Sequence, residues 1–158
     1  MKTINLILIV STLALFSSTL FSQEELGDVN WLRNYDEAIA KAEAEDKPIL
    51  LLFQEVPGCA TCRNYGNNVL SHPILVDAIE NEFVPLAIFN NVKGHDREVL
   101  QKYNEPTWNN PVVRVIDAKG KNVMDRLSGN YSAHGLALQM SLALRQAGKG
   151  LPLSLIHI

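Results

Sequence analysis

Cys59 and Cys62 are the only cysteines in the chain, and their placement constrains its fold more than any other feature. They bracket Ala60-Thr61, directly after the apolar run Ile49-Leu50-Leu51-Leu52-Phe53 and at the head of a helix-like stretch. A strand must therefore end where a helix begins. Backbone N–H groups at a helix start stabilise negative charge, so the first thiol should ionise below the ~8.5 of a free cysteine. The second thiol, one helical turn on, is placed to attack a mixed disulfide formed by the first. A structural disulfide is the competing reading. The loop it would close is only a few residues long, and cross-link stabilisation grows with loop length.

The N-terminus sets the redox compartment. Lys2 precedes an apolar stretch from Ile4 to Phe16, then Ser17-Ser18-Thr19-Leu20-Phe21-Ser22 and the polar Gln23-Glu24-Glu25. That order reads as a secretory signal peptide over residues 1–22, cut after Ser22 or near Thr19. An uncleaved anchor is the alternative, although the apolar core falls short of the ~20 residues a span needs. The mature chain is thus expected to be exported, periplasmic or extracellular, and at a membrane only if the segment stays attached.

A chain of 158 residues, 47% of them hydrophobic, predicts one ordinary core, assigned to residues 23–148. The 14 basic and 17 acidic residues leave a net charge of −3, which provides no basic field for nucleic acid. No Gly-rich phosphate loop, Ser elbow or HExxH is present, and no cofactor is expected.

Periodicity predicts the elements. Asn30 is expected to cap a helix with Trp31, Tyr35, Ala38, Ile39 and Ala42 on one face, ending near Asp46. Ile49 to Phe53 reads as a strand covered on both faces. A helix should run from Cys59 to about Leu70, and another, begun by Ser71-His72-Pro73, to Asn81. Phe83 to Phe89 is a second strand, and Asp96 to Tyr103 a short helix. Pro111 to Ile116 and Asn122 to Leu127 should form a hairpin about Asp117-Ala118-Lys119-Gly120. Ala133 to Ala147 completes the pattern, with Leu136, Met140 and Leu144 aligned. Residues 149–158 form an apolar tail whose last six residues resemble translated sequencing-adapter read-through, and they are set aside. Asn130-Tyr131-Ser132 matches the N-glycosylation pattern, a match common by chance.

Over about residues 28 to 147 this order resembles the thioredoxin-like family. The carriers are Trp31, Ala38 and Lys47-Pro48 ahead of the first central strand, the Cys59-Ala60-Thr61-Cys62 site, and Pro111 before a Val-rich strand. The resemblance implies an α/β fold, a central mixed β-sheet flanked by helices on both faces, and thiol–disulfide oxidoreductase activity. Cys59 would be the nucleophile and Cys62 the resolving thiol. The substrates would be proteins or small molecules carrying a disulfide or dithiol, with a redox partner recycling the pair. The resemblance also implies a cis Asn110–Pro111 bond beside the cysteines, with Gly58, Asn110 and Pro111 against the substrate. An ordinary trans proline opening a strand is the alternative.

Three positions depart from the best-known members. Gly58 stands where thioredoxins usually have Trp, Ala-Thr separates the cysteines, and Phe53 takes the place of a buried acid. Glu55 is the nearest carboxylate in sequence and reads as a solvated loop acid. Arg63 either supports a thiolate or lies on a solvated face.

Two other functions fit the same residues. The cysteines with His72 or His95 would suit a soft metal, although no second Cys-x-x-Cys accompanies them and no metal is assigned. A partner-binding platform with idle cysteines is the other, and Trp108 is then either an exposed contact or an aromatic folded onto the core.

Overall fold

The computed structural model describes residues 24–108 and 111–156. The signal segment expected over 1–22, together with Asn109, Asn110 and residues 157–158, lies outside the described residues. In chain order the elements are α1 (Tyr35–Glu45), β1 (Ile49–Gln54), α2 (Ala60–Tyr65) continued by a π-helical segment (Gly66–Leu70), α3 (Pro73–Glu82), β2 (Val84–Phe89), α4 (His95–Lys102), β3 (Val112–Ile116), β4 (Leu127–Ser128), α5 (Ala133–Gln146) and α6 (Leu153–Ile156). Among the described residues no helix is long and apolar enough to cross a membrane.

β1 is buried along its whole length. Ile49, Leu51 and Phe53 enter one core, and Leu50 and Leu52 enter the other. A strand covered on both faces has no solvent side, so its sequence is a continuous apolar run and does not alternate. Burying these five side chains contributes on the order of 10 kcal/mol before conformational entropy is charged against it.

β1 pairs in parallel with β2 and antiparallel with β3, and β3 pairs antiparallel with β4, in the order β2-β1-β3-β4. This is the mixed sheet the resemblance implied. Tyr35, Ala38 and Ala42 of α1 and Val99 and Leu100 of α4 cover one face. Leu75, Ala78 and Ile79 of α3 and Leu136, Met140 and Leu144 of α5 cover the other.

The first helix starts later than its periodicity predicts. Asn34, not Asn30, caps it, accepting from the Glu37 N–H at 3.0 Å. The preceding residues run along the outer edge of β2, where Leu32 donates to the Pro85 carbonyl at 2.9 Å and accepts from the Ala87 N–H at 3.0 Å. An extended segment satisfies edge groups that a helix there would leave open, and that outweighs one more helical turn. The Asn30 amide turns to Glu80 at 2.8 Å.

The expected hairpin is likewise interrupted. Its turn closes with Gly120 N–H to Asp117 O at 2.9 Å, and Asn122 bridges Ile116. Pairing then lapses until Leu127 meets Val113, with two more residues on the outgoing side than on the incoming one. The surplus residues interrupt the ladder while Val123 and Met124 still pack against the core, and Arg126 turns to Glu105 at 2.8 Å. Glu105 also takes two hydrogen bonds from Arg114, at 2.6 and 2.9 Å, and its side chain is only 1% exposed. This buried carboxylate ties the segment ahead of Pro111 to β3.

The C-terminal tail does find a partner. Leu155 is buried in the core cluster that also holds α3, and the Lys149 ammonium pairs with the Asp46 carboxylate.

Candidate redox site

β1 leads through Gln54 into a loop containing a cis peptide bond at Val56–Pro57. Cys59 then caps α2 in extended backbone conformation. Its side chain is exposed, whereas Cys62 is completely buried. The two sulfurs lie 3.7 Å apart and are not joined in a disulfide.

The pair is electrostatically unequal. The Cys59 thiol is held below its ordinary value chiefly by the Cys62 backbone N–H, which outweighs a small desolvation penalty. The Cys62 side chain and the N–H and hydroxyl of Thr61 act in the same sense. Each donor aims at the sulfur and favours its charged form. Cys62 goes the other way. Burial pushes its thiol up to about 11, reinforced by the hydrogen bond with Cys59 and opposed by a backbone hydrogen bond from Glu55. One sulfur is therefore a ready, solvent-facing nucleophile, and its neighbour stays protonated. Thr61, read in sequence only as part of a neutral dipeptide, helps to build that difference.

Gly58 is required by space. A Cβ there would lie 2.3 Å from the Glu55 carbonyl and 2.6 Å from Cys62 Cβ, so neither Trp nor any other side chain fits this loop. Its N–H donates to the Glu25 carboxylate at 2.8 Å, and its carbonyl accepts from the Arg63 guanidinium. Arg63 is thus a brace for the loop, unlike either role its sequence position suggested. Gln54 completes the support, donating to the Glu25 carbonyl at 2.6 Å and the Cys62 carbonyl at 3.1 Å. Nothing in the sequence marks Glu25, whose partners are more than 25 positions away. Only tertiary packing joins them.

Glu55 departs from its sequence reading. It is half-buried, and its carboxylate and the two sulfurs all lie within 4.8 Å of one another. Neither His72 nor His95 joins a metal-ligating group among the described residues. His72 caps α3, and His95 faces Glu98 at 3.8 Å.

On the other side of the sheet end, Val112 pairs with Phe53, which brings the buried Pro111 to the end of β1 from which the cysteine loop emerges. The peptide bond expected to be cis falls on Asn110, outside the described residues. Trp108, three residues upstream, is 81% exposed and so does not fold onto the core.

A family model described as thioredoxin-like matches residues 30–118. The chain belongs to the thioredoxin-like family. Solved structures agree with this thioredoxin-like fold. The chain is similar to a structure named DsbH oxidoreductase, at 18% identity and a TM-score of 0.63, covering 77% of this chain and 88% of that one. It is similar to a protein from Bacteroides thetaiotaomicron provisionally described as a disulphide-isomerase, at 25% identity and a TM-score of 0.61, covering 73% and 93%. It is also similar to a thioredoxin from Thermus thermophilus, at 21% identity and a TM-score of 0.64, covering 76% and 90%. No curated protein sequence matches the chain.

Proposed function

We propose that this thioredoxin-like chain is an exported thiol–disulfide oxidoreductase working through Cys59 and Cys62. The observation that carries the reading is the asymmetry of the pair: an exposed sulfur supplied with N–H and O–H donors, 3.7 Å from a buried, protonated one. Attack by the Cys59 thiolate on a substrate disulfide breaks the S–S bond, forms a mixed disulfide and releases one substrate thiolate. Cys62 then gives up its proton, with the Glu55 carboxylate the nearby group to receive it, and attacks Cys59 Sγ. The products are the Cys59–Cys62 disulfide and the second substrate thiol. The reverse sequence inserts a disulfide.

Substrate would lie over Gly58, Asn110 and Pro111, as an extended chain that adds to a sheet edge does. Protein disulfides or dithiols are the substrates proposed, with a second redox protein recycling the pair. The leader-like residues 1–22 support export to the periplasm or beyond, with the mature domain beginning near residue 23.

The reduction potential of the Cys59–Cys62 couple tests this reading. A reversible value near −270 mV marks a reductase that needs an electron donor, and one near −120 mV marks an oxidant. A pair that does not cycle overturns the proposal and leaves a binding platform. Removal of residues 1–22 on export is read from the mass of the exported chain, and an intact leader refutes that part.

A further inference from the structure

We propose that the reduced site is also a zinc site, with Cys59 Sγ, Cys62 Sγ and a carboxylate oxygen of Glu55 as three ligands and the fourth position open to solvent. This goes beyond the redox reading and does not depend on it. Two Zn–S bonds of ~2.3 Å at a tetrahedral angle set their sulfurs ~3.8 Å apart. The observed separation is 3.7 Å, so the thiols already stand at the chord a zinc ion requires.

The same geometry asks for a carboxylate oxygen ~3.6 Å from each sulfur. The Glu55 carboxylate lies within 4.8 Å of both, and a shift of about 1 Å by a half-buried side chain closes the remaining distance. Cys62 forms the buried wall of the site and Cys59 its exposed edge, which gives an ion a way in and leaves room for water.

Charge and donor type select the metal. Two thiolates and a carboxylate present three negative charges to a divalent ion. The excess is offset by the N–H groups of Thr61 and Cys62 on the Cys59 sulfur and by a Glu55 backbone hydrogen bond to Cys62. The neighbouring ionic groups are already engaged: the Glu25 carboxylate accepts the Gly58 N–H, and the Arg63 guanidinium is on the Gly58 carbonyl. Neither competes for the ion. A hard oxygen beside two sulfurs favours zinc over copper(I), which prefers soft ligands alone.

Binding displaces the thiol protons to solvent, up to two per ion. Oxidation reverses it. An incoming disulfide takes the two electrons of the Cys59–Cys62 dithiolate, two Zn–S bonds break, one S–S bond forms, and the disulfide leaves with two protons as two thiols. The ion is released. Zinc therefore occupies only the reduced state.

The test titrates Zn2+ alone into the reduced full chain against a chromophoric chelator, with Co2+ as a spectroscopic substitute. The proposal expects one ion per chain, tetrahedral cobalt bands with thiolate charge transfer, and no binding after oxidation by oxidised glutathione. Glu55→Gln should weaken zinc by at least about tenfold, as loss of a supporting ligand group does in metal sites. Cys62→Ser should weaken it further, with circular dichroism confirming that both variants fold. A reduced chain that loses to the chelator, an oxidised chain that still binds, or Glu55→Gln binding as tightly as the parent each overturns the site. Cycling of the pair in excess EDTA is scored separately, so failure of the zinc site and failure of the redox reading are distinguishable.

Discussion

Iodoacetamide offered to the reduced, metal-free chain at pH 8 is expected to label Cys59 and largely spare Cys62. The Cys59 thiol is held below its ordinary value by its donors, whereas a Cys62 value of about 11 leaves roughly 0.1% of that thiol ionised at pH 8. Even an ordinary thiol at ~8.5 would be about 24% ionised there, so ionisation alone favours Cys59 by on the order of a hundredfold. The more basic thiolate is the better nucleophile. With a Brønsted slope of about 0.4–0.5, the gap between ~8.5 and about 11 returns roughly tenfold to Cys62.

About tenfold in favour of Cys59 remains, and the complete burial of Cys62 against the exposure of Cys59 enlarges it. The direction with pH follows. Labelling of Cys59 rises through its lowered value and levels off first, while labelling of Cys62 keeps rising toward pH 11. Mass spectrometry of tryptic peptides against time and pH measures both rates. Equal rates at pH 8, or a Cys59 midpoint above that of a free cysteine, would refute the donor geometry assigned to α2.

Four substitutions extend this. Thr61→Val removes one hydroxyl donor while keeping the backbone ones, so the Cys59 labelling midpoint should move up; an unchanged midpoint denies that contact. Gly58→Ala forces a Cβ against the Glu55 carbonyl, and the overpacking should cost about 1–3 kcal/mol, or several degrees in Tm by calorimetry. Glu105→Ala strands the mostly buried Arg114 guanidinium, and about 3 kcal/mol of stability should be lost, lowering Tm by roughly 10 °C. Trp108→Ala should leave Tm unchanged, since the ring is 81% exposed, yet raise KM for a protein disulfide without raising it for a small one. Equal effects on both substrates would deny the exposed ring any contact with a protein substrate.

The elements most legible in the sequence were those whose environment is uniform. The continuous apolar run from Ile49 could only be a strand covered on both faces, and α3, α4 and α5 bury the residues their periodicity selects. The misreadings came where one backbone chose between partners. Trp31 shares a helical spacing with Tyr35 and Ala38, but the open edge of β2 gains more from the neighbouring Leu32 as an extended partner. Residues 122–127 follow a turn and read as the returning strand of a hairpin, but Arg126 pairs with Glu105 and the ladder is interrupted. Glu105 carries no signal in sequence, because a buried acid is recognised only by the arginines that reach it.

The sequence by itself determined that a reactive pair would stand at a strand-to-helix junction, because local spacing and an apolar run are enough to set it there. Only the tertiary structure decided how unequal the two thiols are. Cys62 is held protonated because strands and helices distant in sequence close over it, and Cys59 ionises more readily because it is left at the rim with its donors. The same folding gathered Glu25, Gln54 and Glu55 around the loop. Burial and through-space contact belong to the packed chain, and neither has a period that a sequence can display.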